Sequence, residues 1–221
     1  MKRYKAVIFD VDGTLLDTSE GILTAVREAV EHMGREPLAD DEWKKFIGPP
    51  VEWSFEQFIG LKGDDNKEAC RYFRDRYSNH HLFLAKPYEG IFDLLEYLKK
   101  NGYKIAVATY KKQDYTDKLM HHFGIDKYAD VIYGSDYENK LLKSDIIKLC
   151  LDEVSPDDYS EALMVGDTKH DARGAEVIGA SFAGVSFGFG FGPIGGEDIN
   201  EYKHDVYVDS PAELIEYLED N

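Results

Sequence analysis

From about residue 103 onward, short apolar runs alternate with stretches in which apolar residues recur every third or fourth position. The runs Ile105–Ala108, Val131–Tyr133, Ala162–Val165, Phe182–Val185 and Val206–Val208 have strand length and strand composition. Helical spacing covers Ile91–Lys100, Asp114–Phe123, Asp145–Leu151, Ala172–Ile178 and Ala212–Leu218. Such alternation implies βαβ crossovers and an α/β fold with a doubly wound parallel sheet covered on both faces. Ala6–Phe9 has the same strand character and belongs to that sheet, although the chain after it breaks the rhythm.

Between Asp17 and about Lys86 the pattern is helical throughout. Ile22, Ala25, Val26, Ala29, Val30 and Met33 form one apolar face, with Arg27, Glu28 and Glu31 opposite and Gly34 as the stop. Shorter helical pieces are predicted over Asp40–Ile47 and Val51–Ile59, separated by Gly48-Pro49-Pro50, and a longer helix from Asn66 to about Leu82. The expected organisation is an α/β domain of residues 1–17 and 87–221 that carries an all-helical insert of residues 18–86.

Composition narrows the function. With 221 residues, 43% hydrophobic and 13% aromatic, the chain has ample material for a packed core. A formal net charge of −17 argues against nucleic acid or an anionic membrane surface as partner, and an anionic substrate would need local cations. The two cysteines, Cys70 and Cys150, have neither disulfide-framework nor metal-site spacing. The apolar run at the N-terminus is too short for a signal peptide and no stretch reaches membrane-spanning length, so a soluble cytoplasmic protein is expected.

Candidate chemistry lies at the strand ends. Ala6–Phe9 runs into Asp10-Val11-Asp12-Gly13-Thr14, two carboxylates two residues apart followed by a glycine that permits a sharp turn. Like charges this close repel unless a cation or proton intervenes. The segment Ala162–Val165 leads into Gly166-Asp167-Thr168-Lys169-His170-Asp171, which puts Asp167 at a strand end and Asp171 one helical turn on. Four carboxylates on one rim suit Mg²⁺, which prefers oxygen ligands. Asp167 or Thr168 acting only as a helix cap is the plainer alternative. Thr109, after Lys104–Ala108, offers a hydroxyl next to an expected helix N-terminus, and Lys143 or Lys140 could meet an anion.

In order and spacing, Asp10–Thr14, Thr109, Lys143 and Gly166–Asp171 resemble the four motifs of the haloacid dehalogenase superfamily, and the insert resembles its type 1 helical cap. The likeness covers essentially the whole chain and is nearest to phosphoglycolate phosphatase-like proteins, with Lys45–Pro50 similar to a cap loop of that group. The resemblance implies a Rossmann-like core with an inserted cap, and a Mg²⁺-dependent phosphatase that acts on a small phosphorylated metabolite through an aspartyl-phosphate. It implies Asp10 as nucleophile and Asp12 as general acid/base. Thr109 and Lys143 would hold the phosphoryl group; Asp10, the Asp12 carbonyl and Asp167 would hold the metal, with Asp171 supporting it through its water shell or directly. Gly13, Tyr110, Gly48 and Pro49 are the remaining substrate-binding candidates. Two departures stand out: Tyr110 replaces the usual Asn, and Ser144 the usual Pro after the lysine, where Ser144 would make a good N-cap and leave Lys143 just ahead of the helix.

A phosphotransferase or mutase of the β-phosphoglucomutase type would share these core residues, and a non-catalytic phosphometabolite sensor is the reading from a different class. Either a monomer or a homodimer is compatible with the sequence. The insert's aromatics read as its own core, the pairs His80-His81 and His121-His122 as surface residues, and the glycine-rich run Phe187–Pro193 as a flexible connector near the rim.

Overall fold

The computed structural model describes residues 3–40, 42–48, 50–136, 140–154 and 158–221. The chain forms two compact units, Met1–Asp17 with Pro87–Asn221, and Thr18–Lys86.

The larger unit is built on a six-stranded parallel sheet. Its strands are β1 (Ala6–Phe9), β4 (Lys104–Lys112), β5 (Val131–Ser135), β6 (Ala162–Gly166), β7 (Ser181–Val185) and β8 (Val206–Val208), in the order β5-β4-β1-β6-β7-β8. The two-residue strands β2 (Leu16–Asp17) and β3 (Lys86–Pro87) lie where the chain passes between the units. Consecutive residues of β1, all buried, serve opposite faces of the sheet. On one face Ala6, Ile8, Ala106, Ala108 and Met164 pack with Ile146, Ile147, Cys150 and Leu151 of α6 (Lys143–Val154) and with Ala172 and Ala175 of α7 (Lys169–Ile178). Against the other lie α4 (Ile91–Lys100) and α8 (Pro211–Asp220), while α5 (Gln113–Phe123) flanks β4 and β5. A near-continuous apolar strand such as β1 needs this cover on both sides. The chain builds β4 and β5 to one side of β1, then returns to build β6, β7 and β8 on the other. The strand order therefore reverses beside β1, and in open α/β sheets ligands bind at that crevice.

Several elements differ from expectation at their ends. β4 continues through Thr109 to Lys112, with a register irregularity against β5 between Ala108 and Lys112, so α5 does not begin directly after Thr109. α6 begins at Lys143 itself. Asp145, not Ser144, closes its first turn, its carboxylate accepting the Leu142 N–H at 2.8 Å.

The smaller unit contains α1 (Ser19–His32), α2 (Val51–Ser54) and α3 (Gly63–Arg76), with no strand among its described residues before Lys86. Val26, Ala29 and Val30 of α1 meet Trp43, Phe46, Phe55, Ala69 and Cys70 in an apolar core of its own. The helix expected over Asp40–Ile47 is only a 3₁₀ turn, Trp43–Phe46, whose buried residues three apart suit that tighter winding. The Val51–Ile59 and Asn66–Leu82 helices each end in a wider π turn, Phe55–Ile59 and Tyr77–His81. His81 is not a surface residue: its side chain is 13% exposed and its Nε2 lies 3.0 Å from Glu28, which also accepts from Arg76 at 2.5 Å. Among the described residues, no helix is long and apolar enough to cross a membrane.

The Glu28 cluster gives a first prediction. The Arg76 hydrogen bond, opposed by burial and helped by His81, holds the Glu28 carboxyl at about 2, against an ordinary 4.5. A depressed folded pKa contributes stability that is present above 4.5 and lost as pH falls toward 2. At pH 7, Glu28→Gln should lower unfolding stability by about 1 kcal/mol, reduced by solvent screening of this partly exposed pair. In denaturant titrations at decreasing pH, the gap to wild type should close below the unfolded pKa. A constant gap would mean that Arg76 does not favour the charged form.

Candidate active site

Three carboxylates separated widely in sequence meet at the crevice. Asp10 follows β1, Asp167 follows β6 and Asp171 lies in the first turn of α7. Each offers an oxygen within 4.8 Å of the others, and all three are buried. Parallel pairing of β1 with β6, Phe9 opposite Val165, ends both strands at the same edge of the sheet, with Asp167 one residue beyond the position level with Asp10. Gly13, at φ +81, makes the turn after Asp12, and a Cβ there would come within 2.2 Å of Asp167 Oδ2.

Lys143 joins two members of the cluster. Its Nζ is 2.6 Å from Asp10 Oδ1 and 2.7 Å from Asp171 Oδ1, and its side chain is 4% exposed. Burial lowers its pKa, but the charges of Asp10 and Asp171 outweigh this and raise it, so it stays an ammonium. For Asp10 burial dominates: it pushes the carboxyl up to about 6 against the pull of Lys143, and Asp171 and Asp12 push further. Asp167 is raised well above its ordinary range by burial, then by Asp171 and Asp10, with the N–H groups of Phe189 and Gly190 opposing. Such a cluster is unfavourable in the absence of a cation. Its hard oxygen donors fit a divalent ion of the Mg²⁺ type.

Asp171 performs the capping role as well. Its Oδ2 accepts from the Thr168 N–H at 3.1 Å and from the Thr168 hydroxyl at 2.7 Å, while Thr168 Oγ1 accepts from the His170 N–H. The capping box therefore anchors one oxygen and directs the other toward Lys143.

The fourth acidic residue stands apart from the three. Asp12 pairs through Oδ1 with the Lys111 ammonium at 3.1 Å, and Lys111 is itself buried, with its side chain 6% exposed. Thr109 is buried, and its Oγ1 accepts from the Lys111 N–H at 3.2 Å, leaving the hydroxyl proton available to donate. Tyr110 accepts the Lys143 N–H at 2.7 Å through its phenol, and its ring centroid lies 5.7 Å from Lys143 Nζ. The residue at the position of the usual Asn thus anchors the start of α6. Lys140 is exposed, so Lys143 is the lysine at the cluster. Gly48, in the helical unit, is exposed at φ +102, and Pro49 lies outside the described residues.

Two features went unread in the sequence. One is Lys111. The other is the run Phe187–Pro193, which is no loose connector: its backbone wraps Asp167. Phe189 and Gly190 donate N–H bonds to Asp167 Oδ2 at 2.6 and 3.2 Å, and Phe191 N–H donates to the Asp167 carbonyl at 2.7 Å. A Cβ on Gly188 would fall 2.3 Å from both Asp167 Cβ and the Gly13 carbonyl, so only glycine fits there. Glycines at 188, 190 and 192 were the available signal, since they mark a close backbone approach.

Residues 7–185 match the sequence model of the haloacid dehalogenase-like hydrolases. A 5'-nucleotidase of Pseudomonas aeruginosa is 34% identical over 189 residues, 85% of each chain. A phosphoglycolate phosphatase of Aquifex aeolicus is 27% identical over 98% of both chains. Among solved structures, a haloacid dehalogenase-like family hydrolase of Streptococcus pneumoniae superposes with a TM-score of 0.85 at 30% identity, covering 98% of this chain and 99% of that one.

Proposed function

This chain belongs to the haloacid dehalogenase-like hydrolases and is a phosphatase, and we propose that it hydrolyses phosphate monoesters of small metabolites with Mg²⁺, through an aspartyl-phosphate on Asp10. The observation that carries this reading is the buried trio Asp10, Asp167 and Asp171, with Lys143 bridging Asp10 and Asp171.

In the first step a carboxylate oxygen of Asp10 attacks phosphorus and the bond to the ester oxygen breaks. Asp12 gives its proton to the departing oxygen. In the second step Asp12 takes a proton from water, whose oxygen attacks phosphorus; the bond to Asp10 breaks and inorganic phosphate leaves. Lys143 and the Thr109 hydroxyl hold the phosphoryl oxygens throughout, positioning and charge compensation being most of what this transfer needs. Asp10, Asp167, Asp171 and the Asp12 carbonyl would hold Mg²⁺, which supplies further positive charge to those oxygens when bound. The Phe189 and Gly190 N–H groups keep Asp167 in its orientation. The helical unit, residues 18–86, would serve as the cap that selects the leaving group and gates turnover.

The test is release of inorganic phosphate from a panel of phosphate monoesters, with Mg²⁺ and with excess chelator. Turnover on at least one ester should fall about 10³-fold or more on chelation and return with Mg²⁺. Undiminished turnover in chelator would end the metal assignment. No release from any ester would end the reading itself.

A further inference from the structure

Lys111 has no task in the reaction as described, yet its ammonium is buried against Asp12. A buried ion pair seldom stabilises a fold more than an apolar pair of the same size, so stability alone is a weak reason for a lysine here. The two buried lysines divide the site between them. Lys143 lies on Asp10 and Asp171, where the phosphoryl group would be transferred, and Lys111 lies on Asp12, where the ester oxygen would depart. Asp12 is the more open partner, 26% exposed against 6%, and the Lys111 ammonium lies 3.1 Å from its Oδ1, so a group that reaches Asp12 is close to that charge. In a protein of net charge −17, a second negative charge near Asp12 would be repelled without a cation there.

Resting on the phosphatase reading above, we propose that Lys111 determines leaving-group specificity: its ammonium receives an anion carried by the alcohol half of the ester, close to the ester oxygen. Preferred substrates then carry a second anionic group beside the phosphate, and neutral alcohols are poor leaving groups for this enzyme. Whether that anion is a carboxylate or a second phosphate is for the experiment to separate, since the ammonium can pair with either.

The experiment compares kcat/KM on matched pairs with Mg²⁺ present: 2-phosphoglycolate against 2-hydroxyethyl phosphate, and ethane-1,2-diyl bisphosphate against the same neutral ester. For wild type, at least one anionic member should lead by about 10- to 100-fold, the range of a hydrogen bond to a charged group. Lys111→Met should bring that ratio close to one, mainly through KM, and Lys111→Arg should restore most of it. The pair that loses its ratio identifies the anion. A wild-type ratio at or below one for both pairs would overturn the assignment. So would a Lys111→Met variant that loses equally on charged and neutral esters, since the lysine would then act only through Asp12. If no ester of the set, nor p-nitrophenyl phosphate, releases phosphate, the phosphatase reading falls and this assignment with it; turnover without discrimination overturns the assignment alone.

Discussion

Asp10→Asn should lower kcat by about 10⁴-fold or more, as loss of a covalent nucleophile does, while the metal-free protein melts no lower than wild type. The two readouts separate chemistry from folding. Asn keeps the size of the side chain and an oxygen that can accept from Lys143, so the 2.6 Å contact has a successor. Asp10 is held near 6 because burial disfavours its charge. A raised folded pKa means stability that is full below the ordinary value of 3.8 and lost as pH rises through about 6. Removing that ionisation should therefore relieve strain at pH 7.5 in chelator. Activity would be followed as phosphate release, and stability by calorimetry. Retained turnover would exclude Asp10 as the nucleophile; a large drop in melting temperature would show that the loss of rate has a structural cause.

Lys143→Met should have the largest effect on stability. The ammonium lies between two buried carboxylates, and an apolar side chain of similar length leaves both without it. Breaking a buried ion pair from one side costs about 3–5 kcal/mol, which for a chain of this size lowers the melting temperature by roughly 10 °C. Catalysis should fall by about 10²- to 10³-fold with the loss of charge on the phosphoryl oxygens. Because Mg²⁺ would bind only the folded cluster, added Mg²⁺ should recover part of the lost stability. Calorimetry with chelator and with Mg²⁺ reads both effects. An unchanged melting temperature in chelator would show that Lys143 is not what balances the two carboxylates.

The motifs that could be read from sequence are those whose signal is local. Asp10–Thr14 combines an apolar strand, paired acids and a glycine within a few residues. In Gly166–Asp171 the capping box sits in one helical turn: Thr168 is the cap its residue type allowed, and Asp171 closes the box with one oxygen while the other meets Lys143. The helix α4 and the strand β8 follow from their periodicity, with the same bounds. Ends were less legible. Ser144 has the chemistry of an N-cap, but Asp145 and the Tyr110 phenol take the N–H groups at the start of α6. Trp43–Phe46 shows helical spacing over a stretch too short to sustain more than a 3₁₀ turn.

What the amino-acid order decided by itself is the alternation of strands and helices, the helical insert, and the acidic residues placed at strand ends. Period, turn chemistry and capping act between neighbours, so they are written in neighbours. What only the tertiary structure decided is which distant groups meet: Lys143 with Asp10 across 133 positions, Lys111 with Asp12, and the backbone of residues 189–191 around Asp167. Those pairings depend on the order and register of parallel strands. Both are set by burial of the two sheet faces, a property of the whole packed core that no short window of sequence contains.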